Sequence, residues 1–470
     1  MISKKNLKNK NISEKSNILL NKINKIFEKK DIKKYCKELS SNLLIPEKEI
    51  LFYFKKLYFT SFNFKKNSFR KKISISSLFK FIFINLFFIV IIFFFKKKNI
   101  KQKCKKFDLL IDDVSDLNEL KRYGILKKYF KSNIVRINKN LKLKKNLKKI
   151  IFRKNFINYN LSFVDFIFLL KMLNKNIFYS FKTNINLLYL FFKFINDYYF
   201  YSSFFADYKF KFIISSRHYV TNNIKNFIAK KNKTHCSVIQ KNIDSENING
   251  FFLKSDTLFT LGNKTKIINK RFCNFKKQVS VGSFFMEQNF YKNGNKNKNV
   301  RKFDILCLGG NEQYPGSEHD NYHDHASNYI KHLDWLRKIS KDFPDIKVGF
   351  VHHANNKNDF EKNFFSNSKV KYIEKETNSY DLCNKSKFLC SWASTMVIEF
   401  FSLKKKSYYL DPDYLNVQFM KNINKNIRIN TYHKFKKFYF EKMNKKTNIS
   451  NYCINSKNTS YRIFKYLKKI

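Results

Sequence analysis

From residue 107 onward, short apolar runs alternate with longer stretches whose apolar positions recur every three or four residues. Residues 107–111 read as a strand ending in Asp112-Asp113, a helix follows to near Phe130, and 133–137 is a second strand. Farther on, 211–215 is a strand leading into Arg217-His218, and 219–230 is a helix. The runs 237–240, 257–261 and 278–281 are short strands, the last two ending at Gly262 and Gly282. The stretch 288–302 is polar, contains glycine and has almost no apolar residues, which makes it a linker. Strands then resume at 303–308, stopping at Gly309-Gly310, and at 347–351, stopping at His352-His353. They continue at 388–390, which runs into the turn Ser391-Trp392-Ala393-Ser394-Thr395, and at 407–410, which closes on Asp411-Pro412. Strand–helix alternation of this kind predicts an α/β fold of open sheets in two lobes, 107–287 and 303–470, joined by 288–302.

The chain before residue 100 reads differently. Residues 1–72 form a basic extension with helical spacing at Ile18, Leu19, Leu20, Ile23 and Ile26-Phe27; Pro46 interrupts it and Glu47 opens a further helix. Residues 73–98 follow as a hydrophobic segment, apolar throughout its centre apart from Asn85 and closed by Lys96-Lys97-Lys98. Its length is near the ~20 residues a bilayer requires, so it is expected to be a membrane-embedded helix. An in-plane helix with its Phe-rich side in lipid, or a buried core helix, are the other placements. The lysines from 96 to 106 favour a cytoplasmic position for the C-terminal part.

Charge and cysteine content narrow the setting. The 470 residues carry a formal charge of +60, yet a hydrophobic fraction of 43% argues against a wholly disordered chain. Much of the bias is the Lys, Asn, Ile and Phe usage of an AT-rich genome. Anionic lipid head groups suit such a surface as well as nucleic acid does, and no RNA-binding signature, P-loop or GxSxG is present. Eight cysteines without a CxxC pair argue for reduced thiols and against a structural zinc site.

Candidate chemistry lies at the ends of predicted strands, the edge where open α/β sheets bind ligands. Ser394 and Thr395 suit the cap of a helix whose start could hold phosphate, with Glu399 placed one turn inside to accept from a ribose. An ordinary helix cap with a solvated Glu399 is the plainer alternative. His352 or His353 could donate to phosphates or to leaving-group charge. Asp112, Asp113 or His218 could serve as the base for an acceptor hydroxyl, although N-capping also explains the aspartates. The cluster of His319, His323 and His325 with Asp320 and Asp324 lacks the helical i, i+4 spacing of a proteolytic zinc motif. It reads as a substrate-facing or solvated loop before it reads as a metal site.

Ser394-Thr395, three residues and Glu399, followed by a strand ending in Asp411-Pro412, resembles the donor-nucleotide segment of GT-B glycosyltransferases. The likeness is to enzymes of surface polysaccharide, lipopolysaccharide and capsule synthesis, with more distant kinship to CDP-glycerol glycerophosphotransferases and UDP-N-acetylglucosamine 2-epimerases. Ala393 is kept, whereas Lys404-Lys405-Lys406-Ser407 stands where Gly-Lys-Pro is common. The resemblance covers 303–415 well, 107–285 thinly, and nothing before 100. It implies two Rossmann-like lobes, the first for the acceptor and the second for a nucleotide-activated donor held by Gly309, Gly310, His352, His353, Ser394, Thr395 and Glu399. It also implies metal-independent catalysis without a cofactor, and a lipid-linked or polysaccharide acceptor at the cytoplasmic face of a bacterial inner membrane. A glycerol- or polyol-phosphate transferase, or a non-catalytic binding protein, would use the same fold.

Overall fold

In the computed structural model, residues 12–60, 62–63, 68–69, 75–94, 104–114, 123–137, 150–152, 162–215, 221–241, 252–266, 273–292, 302–310, 323–353, 359–374, 379–414, 423–441 and 451–470 are described. Contacts divide the chain into two units. The first comprises 1–240, 247–259 and 268–278; the second comprises 241–246, 260–267 and 279–470.

The first unit begins with three helices, α1 (Ile12–Phe27), α2 (Lys30–Leu43) and α3 (Glu47–Thr60), the last starting just after Pro46 as its sequence predicts. A short hairpin, β1 (Phe62–Asn63) and β2 (Ser68–Phe69), precedes α4 (Ile75–Phe94). Then come β3 (Lys105–Val114), α5 (Gly124–Lys127), β4 (Asn133–Ile137), β5 (Ile150–Phe152), α6 (Phe163–Thr183), α7 (Leu187–Asp207), β6 (Tyr208–Ser215), α8 (Asn223–Lys231), β7 (His235–Ile239), β8 (Leu253–Thr260) and β9 (Cys273–Ser280). The sheet order is β5-β4-β3-β6-β7-β8-β9, with parallel pairing from β5 through β8. The chain therefore builds outward from β3 in one direction and then, from β6, in the other. Between β3 and β6 lies the switch point at which such sheets open a crevice.

The N-terminal helices are part of this unit's core. Leu20, Ile23, Tyr35, Leu39, Ile50 and Phe54 are buried in one cluster with Leu190, Phe191, Phe194 and Phe204 of α7. Polar ties reinforce the packing. Tyr53 donates to Asp197 at 2.6 Å, Lys175 pairs with Glu38 at 2.7 Å, and Lys254 pairs with Glu49. Ser162 opens α6 with a capping box: its hydroxyl accepts from the Asp165 N–H, and the Asp165 carboxylate accepts from the Ser162 N–H, each at 3.1 Å.

Among the described residues no helix is long and apolar enough to cross a membrane. The hydrophobic segment does form a helix, α4, but one side of it is packed on protein. Phe81, Asn85 and Ile89, spaced four apart, are buried, and α4 lies against α6 and α7. The Asn85 amide donates to the Phe81 carbonyl at 2.6 Å and to the Leu188 carbonyl at 3.2 Å. An amide satisfied across a helix–helix contact accounts for a polar residue in this apolar run, and the expectation of a membrane-spanning helix is corrected accordingly.

The second unit contains α9 (Phe284–Lys292), β10 (Phe303–Leu308), α10 (His323–Asp342), β11 (Val348–Val351), α11 (Phe360–Phe365), β12 (Lys371–Ile373), α12 (Ser379–Asn384), β13 (Ser386–Ser391), α13 (Met396–Phe401), β14 (Lys406–Leu410), β15 (Arg428–Ile429), α14 (Tyr432–Phe440) and α15 (Thr459–Lys468). Its sheet is wholly parallel, in the order β12-β11-β10-β13-β14-β15, the doubly wound arrangement with its switch point between β10 and β13. The division falls earlier than the polar stretch 288–302, whose start lies inside α9. Met286 of α9 packs with Leu306 and Leu389, and Glu287 accepts from the Ser460 N–H at 2.7 Å, so burial assigns this helix to the second unit.

Candidate functional site

At the switch point of the second unit, Leu308 of β10 is in register with Val351 of β11 on one side and Ser391 of β13 on the other. Three strand ends therefore deliver Gly309-Gly310, His352-His353 and the Ser391–Thr395 turn to one edge. Ser391 organises the turn. Its hydroxyl donates to the Leu308 carbonyl at 2.8 Å and accepts from the N–H groups of Ser394 at 3.0 Å and Ala393 at 3.3 Å. Of the two predicted caps, Ser394 accepts from the Met396 N–H at 3.3 Å, whereas Thr395 makes no side-chain cap bond.

Gly309 is needed for protein packing. A Cβ there would meet the Val351 carbonyl at 2.9 Å and the His353 nitrogen at 3.2 Å, while the Gly309 N–H donates to that same carbonyl at 2.9 Å. The absent side chain thus lets the ends of β10 and β11 close on each other.

The two histidines have different surroundings. His352 Nδ1 lies 3.5 Å from the carboxylate of Glu361, whose other oxygen accepts from the Tyr329 hydroxyl at 2.8 Å. Glu361 is fully buried, and burial followed by its negative charge pushes the Tyr329 hydroxyl pKa upward. His353 is held below the ordinary imidazole range, by burial first and then by its neighbours His352 and Lys241. It is neutral at neutral pH and offers a single N–H.

Glu399 is buried, and both of its carboxylate oxygens are engaged. The Ser283 hydroxyl donates to Oε1 at 2.6 Å and the Tyr380 hydroxyl to Oε2 at 2.7 Å. Asp411, at the end of β14, is also buried and pairs with Arg428, whose Nε lies at 2.8 Å. Asn328 links this pair to the turn: its amide donates to Asp411 at 3.4 Å and its oxygen accepts from the indole N–H of Trp392.

In the first unit Asp112 is in register with Ser215 across the switch point. The crevice between β3 and β6 is filled by a lysine from α8. Lys225 Nζ contacts Asp112 at 2.6 Å, Asp113 at 3.0 Å and the Ser215 hydroxyl at 2.8 Å, and the ammonium and Asp112 are fully buried. Engaged in this way, either aspartate would act as a base only if this cluster opened. Lys56 of α3 donates to the nearby Thr221 carbonyl. Burial lowers its pKa to about 8 against the attraction of Asp113. His218 lies outside the described residues, as does His319; the side chains of His323 and His325 do so too. Sequence reasoning missed Lys225, Glu361, Tyr329, Asn328 and Arg428, none of which falls in a motif.

No protein-family model matches the chain, and no curated protein does. Solved structures similar to it include a UDP-GlcNAc 2-epimerase from Methanocaldococcus jannaschii, at 16% identity over 78% of this chain and 100% of that one, with a TM-score of 0.48. A UDP-GlcNAc 2-epimerase from Neisseria meningitidis bound to UDP-GlcNAc is 12% identical over 78% and 100%, with a TM-score of 0.45. MurG from Acinetobacter baumannii is 10% identical over 78% and 100%, with a TM-score of 0.37. The likeness is coarse and gives no residue of this chain a role.

Proposed function

We propose that the protein is a nucleotide-sugar-dependent glycosyltransferase of glycan synthesis, associated with the cytoplasmic face of a bacterial inner membrane and acting on a lipid-linked or polysaccharide acceptor. The observation that carries this reading is the convergence of Gly309-Gly310, His352-His353 and the Ser391–Thr395 turn at the switch point of a doubly wound sheet. His353 is suited to donate its N–H to a donor phosphate, and Ser394 and Thr395 follow β13 at the same edge of the sheet, with β10 between. Glu399 would bind a ribose in competition with Ser283 and Tyr380, which already hold its two oxygens. An acceptor hydroxyl needs a base. With Asp112 and Asp113 engaged by Lys225, His218 is the group proposed for that role. The reading calls for no metal or cofactor.

The test is thermal unfolding of the full chain with UDP, CDP, GDP or CMP, repeated with His353→Ala. A nucleotide at about a hundredfold above its Kd stabilises by about 2.7 kcal/mol. A rise with one nucleotide that His353→Ala abolishes supports the site, and CDP alone would point to polyol-phosphate transfer. No rise with any nucleotide, in folded protein, overturns the reading. The full engagement of Glu399 then favours the second reading, a non-catalytic glycan-binding protein.

A further inference from the structure

The helix α4 is apolar on every side, a composition that normally accompanies complete burial. Among the described residues only one side of it is covered. Opposite Phe81, Asn85 and Ile89, the helix presents Phe79, Phe83, Leu86, Phe87 and Val90 to solvent, at 58%, 71%, 36%, 70% and 41% exposure. These positions recur every three to four residues and form one stripe along several turns. Lys80 is exposed beside it, and Lys96-Lys97-Lys98 follow the helix in sequence. The neighbouring α6 exposes Phe178 and Phe181 together with Lys182.

We propose that the outer stripe of α4 rests in the interface of an anionic lipid bilayer, the helix lying in the membrane plane with its Asn85 side held by α6 and α7. Charge selects this occupant. A second copy of a chain of formal charge +60 would be repelled, whereas an anionic bilayer attracts lysines flanking an apolar stripe. Packing fixes the orientation, because a helix fastened side-on by Phe81, Asn85 and Ile89 offers lipid one face along its length. The inference deepens the membrane association in the proposed function and does not depend on the donor site.

The test is co-sedimentation of the full chain with vesicles of phosphatidylcholine containing phosphatidylglycerol, compared with phosphatidylcholine alone. Binding is expected to the anionic vesicles and to fall at least about tenfold in the Phe83→Ser/Phe87→Ser double variant, with an unchanged melting temperature. Equal binding by the variant overturns the docking face while leaving membrane association standing. Equal binding to neutral vesicles overturns the part assigned to charge. No binding by the wild type overturns both this inference and the membrane part of the proposed function, while the nucleotide assay still decides the donor site. As a second measurement, Phe83→Trp should show blue-shifted emission in vesicles, quenched more by bromine near the head groups than by bromine at the bilayer centre. The reverse order overturns the in-plane placement.

Discussion

Ser283 and Glu399 are 116 residues apart in the chain and meet at 2.6 Å, the serine hydroxyl donating to the carboxylate. Tyr380 holds the other oxygen, so one buried carboxylate fastens the segment before α9 and helix α12 to helix α13. Charged hydrogen bonds of this kind are the stronger sort. Glu399→Ala strands two hydroxyls and should cost about 2 kcal/mol or more in urea unfolding, with Glu399→Gln losing less. Ser283→Ala removes one competitor for the carboxylate. If a ribose binds there, this variant shows a larger nucleotide-induced rise in melting temperature than wild type, and a smaller rise counts against a ribose role.

Lys225 pairs with two buried carboxylates at once. Lys225→Met leaves both without that partner, which should destabilise the first unit by about 3–5 kcal/mol. Adding Asp112→Asn should recover part of the loss, and a double-mutant cycle on unfolding free energies measures the coupling. Strictly additive effects would mean that the cluster opens in solution.

Glu287 gives the second unit a pH dependence. Its Oε2 accepts from the Ser460 N–H and hydroxyl, Oε1 has no hydrogen-bond partner among the described residues, and burial raises the carboxyl pKa from 4.5 to about 7 despite these bonds and the charge of Arg462. The folded state thus holds the proton more tightly than the unfolded chain. This contribution is fully present below pH 4.5 and is lost as pH rises through about 7. Glu287→Gln, which keeps an acceptor without the charge, should therefore gain stability relative to wild type between about pH 5 and about pH 8. Melting temperatures of both proteins across that range check the sign.

Removing residues 1–60 should abolish soluble expression of the first unit, because Phe191, Phe194 and Phe204 would lose the helices that cover them. A truncated chain that still melts cooperatively in two transitions would show the extension to be dispensable.

The second unit is the more legible in sequence. β10, β11, β13 and β14 are short apolar runs that stop at glycines, paired histidines, the Ser391 turn or Asp-Pro, and each of these four is observed within a residue or two of its expected bounds, whereas the short edge strands β12 and β15 were not assigned from sequence. The switch-point edge follows from that order. The first unit conceals more. The helices α6 and α7 carry Phe and Tyr on all sides, so no polar face marks their period, and no element was assigned there from sequence. Lys225 is one of 95 basic residues, and nothing in NIKNFIAKK separates a buried lysine from a solvated one. The segment around Asn85 was ambiguous for a related reason: a helix apolar all round fits lipid and protein interior alike, and only the partner of the asparagine decides.

The contact between Glu49 and Lys254 joins residues 205 positions apart, and Tyr53 waits for Asp197. During synthesis the first three helices leave the ribosome long before α7, the surface they cover, has been made. Translation runs at roughly 5–20 residues per second, so they spend on the order of ten seconds with their apolar sides unclaimed. For that interval the nascent chain is a basic, sticky peptide, and its fate depends on whether a chaperone or its own distant partner reaches it first.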